Sequence, residues 1–303
     1  MPDPVPNWER MGGFVDLGEG SVLVRSVRGR VLAVAAMAIA VLVSGVGFAP
    51  HARPASRWVA APVASIHPGV MTFTPVGQCT ANFVFFQGAE VFLGQAAHCA
   101  GTGAANETNG CGAGSLPLGT PVEIDGASHP GTMVYSSWIA MDAAREQDPA
   151  TCAFNDFALV RLHPDDRAKV NPSLPHWGGP TGISRTVLPE LASVYAVGNS
   201  GLRQGLRLLQ PKIGTNLGTD GGGWSHGVYN LLPGIPGDSG GPVLDAAGRA
   251  LGVLVTVQLL PLPGRNGVTD IGRALAYARA HGMPDLLLAT GTLPFNPAQL
   301  PLG

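Results

Sequence analysis

The sequence predicts an all-β fold, a sandwich or barrel of many short strands finished by a single C-terminal helix. Three observations carry this. From Ser65 onward, short apolar runs alternate with Gly, Pro and Asn punctuation, the pattern of strands joined by turns. Glycine (43) and proline (27) are abundant and only 13% of residues are charged, while 45% hydrophobic content is enough to bury a core rather than leave the chain disordered. No helical period covers the central region. Only after Thr269-Asp270 do Leu and Ala recur at helical spacing, over Ile271–Ala280, with Gly282 as a stop.

The elements follow in chain order. Val31 to Phe48 is an 18-residue stretch without charge, preceded by Arg25, Arg28 and Arg30. This is the pattern of an export signal, at a length that also touches the lower limit of a membrane span. Residues 1–49 are therefore expected to be an export signal or, if uncleaved, an anchor attaching the protein to a membrane through residues 31–48. Gly47-Phe48-Ala49 supplies small residues for cleavage, with Pro50 after them. Residues 1–21 carry four acids, unlike a signal, which points to a start at Met11 or later. Residues 50–64, rich in Pro and Ala, read as a linker. Strands are expected at Asn82–Phe86, Val91–Ala96, Val122–Ile124, Thr132–Trp138, Phe157–Leu162, Ser193–Val197, Gly227–Leu231, Gly241–Leu244 and Ala250–Gln258. A helix at about 270–281 and an irregular Pro-rich tail over 291–303 complete the chain. There is no internal repeat.

Net charge is −2, so there is no basic footprint for nucleic acid. Lysine is confined to Lys169 and Lys212. Four cysteines fit an exported, oxidised protein and allow three pairings. Cys79 and Cys99 bracket the apparent hairpin Asn82–Phe86/Val91–Ala96, so their side chains can meet near its open end. Asn106-Glu107-Thr108 matches a glycosylation acceptor and is read as chance.

The chemistry is concentrated in Gly237-Asp238-Ser239-Gly240-Gly241-Pro242. A serine hydroxyl is a poor nucleophile at neutral pH and needs a base beside it. It also needs backbone N–H groups aimed at the oxyanion it creates. Glycines let the main chain approach a substrate closely. A base and its orienting acid are available upstream: Ala96-Ala97-His98-Cys99 ends one apolar run, and Asn155-Asp156-Phe157-Ala158-Leu159-Val160 begins another. The order His, Asp, Ser is not that of the α/β-hydrolases or the subtilisins.

These three motifs, A-A-H-C, N-D-F-A-L-V and G-D-S-G-G-P, resemble those of the chymotrypsin/trypsin family of serine proteases, over a domain of residues 65–290. The resemblance implies two antiparallel β-barrels, about 65–175 and about 176–268, with the site in the cleft between them. It implies His98 as general base, Asp156 as the carboxylate orienting it, Ser239 as nucleophile, and the N–H groups of Gly237 and Ser239 as oxyanion hole. It also implies the Cys79–Cys99 bridge, which leaves Cys111 and Cys152 to each other. No cofactor is expected, since no pair among the eight histidines has metal-ligand spacing. The partner is a polypeptide substrate, and the protein is expected to be a monomer, secreted or in the cell envelope.

Specificity is less legible. Pro233, six residues before the nucleophile, aligns with the floor of the first side-chain pocket in the family. Val255, Thr256 and Val257 align with the strand that pairs with substrate backbone, pointing to a small or apolar side chain before the cut. Asp238 aligns with the residue that, in animal members, pairs with a new N-terminus after zymogen cleavage. This chain has no Arg or Lys followed by an Ile/Val-x-Gly-Gly start, so its partner is open. Asp125, Asp142 and Asp148 are rivals to Asp156 by position. Two other readings stand beside the peptidase: an inactive binding module on the same scaffold, and an esterase of another fold using His281.

Overall fold

The computed structural model describes residues 57–104, 107–258 and 262–299. The expected export signal 1–49 with its apolar stretch 31–48, the first part of the 50–64 linker, and Asn106 lie outside the described residues.

The first half contains β1 (Met71–Thr74), β2 (Gly77–Thr80), β3 (Val84–Gln87), β4 (Glu90–Gln95), β5 (Pro121–Ile124), β6 (Gly131–Ser136) and β7 (Ala158–Arg161). Together with β14 (Leu287–Leu288) they form an eight-stranded antiparallel sheet in the order β14-β3-β4-β7-β6-β5-β1-β2. The second half is a closed six-stranded antiparallel barrel of β8 (Ser193–Val197), β9 (Pro211–Asp220), β10 (Ser225–Asn230), β11 (Pro242–Asp245), β12 (Ala250–Val257) and β13 (Arg265–Asp270), ordered β10-β13-β12-β11-β8-β9. This is the expected mostly-β, chymotrypsin-like architecture with its C-terminal helix.

β3 and β4 read as apolar runs because both of their faces are covered. Val84, Val91 and Leu93 pack with Ile66, Val122, Met133 and Val160 inside the first half. Phe85 and Phe92, on the opposite face, join Phe157, Trp177, Val253 and Leu275 in a core shared by both halves. The barrel has its own interior of Val194, Ala196, Val228, Val243, Leu251 and Val268. The terminal helix, α3 (Ile271–Ala280), is the one expected: Asp270 caps it by accepting from Arg273 N at 2.8 Å, and Ile271, Ala274, Leu275 and Ala278 are its buried stripe.

Some expectations need correction. The run Thr132–Trp138 does not continue as a strand: β6 stops at Ser136, and α1 (Ser137–Ala144) begins. Ser137 Oγ turns the chain there by donating to Asn155 O (2.7 Å) and accepting from Phe157 N (3.0 Å). A second short helix, α2 (Pro149–Phe154), precedes Asp156, so the central region is not free of helix. β1, β2, β9, β13 and β14 were not expected. The tail is irregular but tied down: Gly291 N donates to Pro180 O (2.8 Å), Gly179 N to Leu293 O (3.1 Å) and Asn296 N to Trp177 O (2.8 Å).

Both disulfides, Cys79–Cys99 and Cys111–Cys152, are formed, which fits an extracytoplasmic, oxidising location. Among the described residues no helix is long and apolar enough to cross a membrane.

Candidate active site

His98 sits in a short 3-10 turn, Ala97–Ala100, directly after β4, with Ala97, Cys99 and Ala100 buried around it. Asp156 follows α2 and lies just before β7. The pairing of β4 with β7, which sets Gln95 opposite Ala158, brings the two residues together. Asp156 Oδ2 is 2.7 Å from His98 Nδ1, and Asp156 Oδ1 accepts the backbone N–H of His98 at 2.9 Å. The imidazole side chain is 26% exposed and the carboxylate 11%. Burial works against the imidazolium, but the charge of Asp156 and its hydrogen bond outweigh burial, and the His98 pKa lies above its ordinary value.

Ser239 occupies the turn before β11, across a cleft of about 900 Å³ whose lining includes His98, Asp156 and Ser239. Ser239 Oγ has no hydrogen-bond partner among the described residues. The three residues expected from the sequence thus line one cleft, with the Asp156–His98 hydrogen bond made and none between His98 and Ser239.

The turn carrying Ser239 is braced from the first half. Thr80 N donates to Ser239 O (2.8 Å), and Gln78 Nε2 (3.1 Å) and Thr80 Oγ1 (2.8 Å) donate to Gly237 O. The N–H groups of Gly237 and Ser239 find no acceptor among the described residues, as an oxyanion hole requires. Gly237 has φ +94°, and a Cβ there would lie 2.3 Å from Gln78 Oε1, so only glycine fits.

Asp238 is fully buried and has internal partners. Its Oδ1 accepts from Ser200 N (3.1 Å); its Oδ2 accepts from Ile235 N (3.1 Å) and Arg203 Nη2 (2.8 Å). Lys212 Nζ lies 3.0 Å from the same oxygen without hydrogen-bond alignment, so that contact is ionic. Burial pulls the Lys212 pKa down against the opposing pull of Asp238. The open question of what pairs with Asp238 is thus answered within the chain. Gln78, Thr80, Arg203 and Lys212 were missed by sequence reasoning. A lone lysine in an apolar-rich segment was the one available signal.

Val255, Thr256 and Val257 line the cleft. β11 pairs with β12 only as far as Val253, so their edge is free of it. Pro233 is not among the lining residues; Gly234 and Ile235 are, and Pro233 O accepts from Arg203 Nη2 at 3.2 Å. Of the rivals to Asp156, Asp148 caps α2 through Thr151 N (2.8 Å), and neither Asp125 nor Asp142 lines the cleft. His281 ends α3, bonded to Tyr277 O and stacked on its ring, away from the cleft lining.

Among the described residues, two groups place three potential ligand atoms within 4.8 Å of one another. Cys79, His98 and Cys99 form one, but both sulfurs are committed to the disulfide. His129, His163 and Asp165 form the other, at the surface, a convergence invisible in their sequence spacing.

A sheet and a barrel enclosing a His–Asp pair and a serine turn are the architecture of the chymotrypsin-like class. The chain belongs to the trypsin-like peptidase domain family, whose sequence model matches residues 96–253, just over half of it. It is similar to the solved structure of Protease A from Thermobifida fusca (20% identity, covering 75% of this chain and 100% of that one, TM-score 0.48). It is similar also to chymotrypsin from Cellulomonas bogoriensis (18%, 74% and 99%, 0.45) and to the Nocardiopsis protease (18%, 74% and 98%, 0.43). No curated protein matches the sequence.

Proposed function

We propose that this protein is an exported serine endopeptidase acting through His98, Asp156 and Ser239. The observation that carries the reading is the 2.7 Å Asp156–His98 pair facing, across one cleft, a serine whose own N–H and that of Gly237 are unpaired.

In this reading Ser239 Oγ attacks the scissile carbonyl carbon while His98 Nε2 takes its proton. Asp156 holds the Nδ1–H tautomer and stabilises the imidazolium without accepting the proton. The carbonyl oxygen, now an oxyanion, is received by the N–H groups of Gly237 and Ser239. His98 then gives its proton to the leaving amine, which breaks the C–N bond and leaves an acyl-Ser239 ester. Water enters by the same route in reverse: His98 takes a proton from it, and Ser239 leaves protonated. Residues 65–290 form the peptidase domain, and residues 1–49 direct export or anchor it.

The test is labelling by a fluorophosphonate probe that forms a covalent bond with an activated serine. Wild-type protein is expected to label and to cut a peptide library, and Ser239→Ala to do neither. A folded wild type that never labels refutes the proposal. Separate His98→Ala and His281→Ala variants, assayed on peptides and esters, test the esterase reading: only His98→Ala is expected to abolish turnover.

A further inference from the structure

We infer that Asn266, together with Leu254, closes the side-chain recess beside Ser239, so that the enzyme cuts after small residues such as Gly, Ala and Ser. This rests on the serine-peptidase reading above.

The recess lies between two wall segments that line the cleft with Ser239: Gly234–Gly237 on one side and Leu254–Gln258 on the other. A substrate whose carbonyl oxygen rests on Gly237 N and Ser239 N has the side chain of that same residue beside these walls. A long side chain needs the walls to stay apart at depth. Here Asn266, fully buried on β13, bridges them. Its Oδ1 accepts from Gly234 N at 3.0 Å, and its Nδ2 donates to Thr256 O at 3.0 Å. Asn230 Nδ2 donates to the same Oδ1 at 3.2 Å, fixing the carboxamide from behind.

Two consequences follow. First, the walls are held together at Asn266. A Cβ placed on Gly234 would lie 2.9 Å from Asn266 Nδ2 and 3.1 and 3.2 Å from the two δ-carbons of Leu254. Gly234 is thus packed against Asn266 and Leu254 without room for one added methyl group, and close-packed surroundings do not yield cheaply. Second, the bridge occupies backbone groups that a long polar side chain could otherwise bind. The wall groups it would reach, Gly234 N and Thr256 O, are already satisfied by Asn266. The charged pair that does line the cleft, Arg265 and Asp220, is self-neutralising at 2.5 Å. Pro233, the sequence candidate for the floor, is displaced from this role by Asn266.

The experiment is a comparison of kcat/KM across a peptide series varied only in the residue before the cut, with fluorophosphonate labelling of each protein as a control for a live nucleophile. Wild type is expected to favour Ala over Phe, Leu, Lys and Glu by at least roughly tenfold. Asn266→Ala, which removes the bridge, is expected to raise kcat/KM for Phe and Leu relative to Ala by a similar factor. Leu254→Ala, which deepens the recess without touching any hydrogen bond, should shift preference the same way and covers the case in which Asn266→Ala fails to fold. A wild type that labels but cuts best after Phe, Leu, Lys or Glu overturns this inference alone. So do labelling variants that keep the wild-type profile. A folded wild type that neither labels nor cuts overturns the peptidase reading and this inference with it.

Discussion

Asp156 holds His98 at two points: one carboxylate oxygen lies 2.7 Å from the ring Nδ1 and the other takes the backbone N–H of the same residue at 2.9 Å. Position and tautomer are therefore set by a single side chain. Asp156→Asn keeps the shape but presents an N–H toward Nδ1 and favours the wrong tautomer. On the proposed mechanism kcat falls by about 10⁴-fold with the fold intact. Steady-state kinetics beside a far-UV circular dichroism spectrum check this, and a loss below tenfold would separate Asp156 from the chemistry.

The raised His98 pKa fixes opposite pH trends for stability and activity. A folded-state value above the unfolded one means the protonated ring adds stability that is fully present below pH 6.5 and is lost as pH rises through the folded value. A general base has to be neutral, so kcat/KM climbs through that same window. A profile of kcat/KM and Tm between about pH 5 and pH 9 reads both. An activity midpoint below the ordinary histidine value would contradict the geometry.

Gly237→Ala is expected to leave the core untouched and to damage catalysis. Its Cβ meets Gln78 Oε1 and the Ser200 backbone at a backbone angle that L residues rarely adopt, so the turn presenting the adjacent N–H is strained. Loss of one oxyanion donor costs about 10²–10³ in kcat. The rate of probe labelling and kcat should fall together.

The buried cluster behind the nucleophile sets two cations against one carboxylate. Asp238→Ala leaves Arg203 and Lys212 uncompensated, and an abandoned buried partner costs about 3–5 kcal/mol. Lys212→Met removes the cation that burial disfavours and leaves the aligned Arg203–Asp238 bond in place. It is expected to be close to neutral in stability. Chemical denaturation of the two variants should therefore diverge by several kcal/mol, and equal costs would contradict this division of roles.

The bridges should differ in what they protect. On the chain-entropy model, closing 20 residues stabilises by about 3 kcal/mol and closing 41 by about 4. Cys79 and Cys99 line the cleft next to His98, whereas neither Cys111 nor Cys152 does. Replacing Cys79 and Cys99 by serine is expected to reduce kcat as well as Tm; the corresponding Cys111/Cys152 change should lower Tm with little effect on kcat.

How legible all this was depended on which face a segment buries. β3, β4, β7, β8 and β12 are apolar runs because they are covered by core, and these were read directly. β9 (Pro-Lys-Ile-Gly-Thr-Asn-Leu-Gly-Thr-Asp) and β13 (Arg-Asn-Gly-Val-Thr-Asp) are barrel strands of polar sequence, since part of their surface faces the cleft and buried polar networks. Hydrophobic periodicity cannot find them. α1 hid behind the Ser-Trp continuation of a strand pattern, and its start is decided by the Ser137 hydroxyl bonding residues that come 18 and 20 positions later. α2 had a readable signal, Asp148 followed by Pro149 at the first helical position. The three catalytic candidates were legible because nucleophile chemistry restricts their neighbours. Asn266 was not, because its role exists only once Gly234 and Thr256 face each other.

The edge of the first sheet is completed from the far end of the polypeptide, where Leu287 and Leu288 pair with Phe86 and Phe85. Among the described residues no segment earlier than β14 takes that margin, so the last strand of the first sheet comes from beyond the barrel. The first sheet is consequently complete only when residues that follow the barrel in sequence are in place. A variant lacking Leu287 and Leu288 would expose the hydrogen-bonding edge of Phe85 and Phe86, an apolar margin open to pairing with another chain.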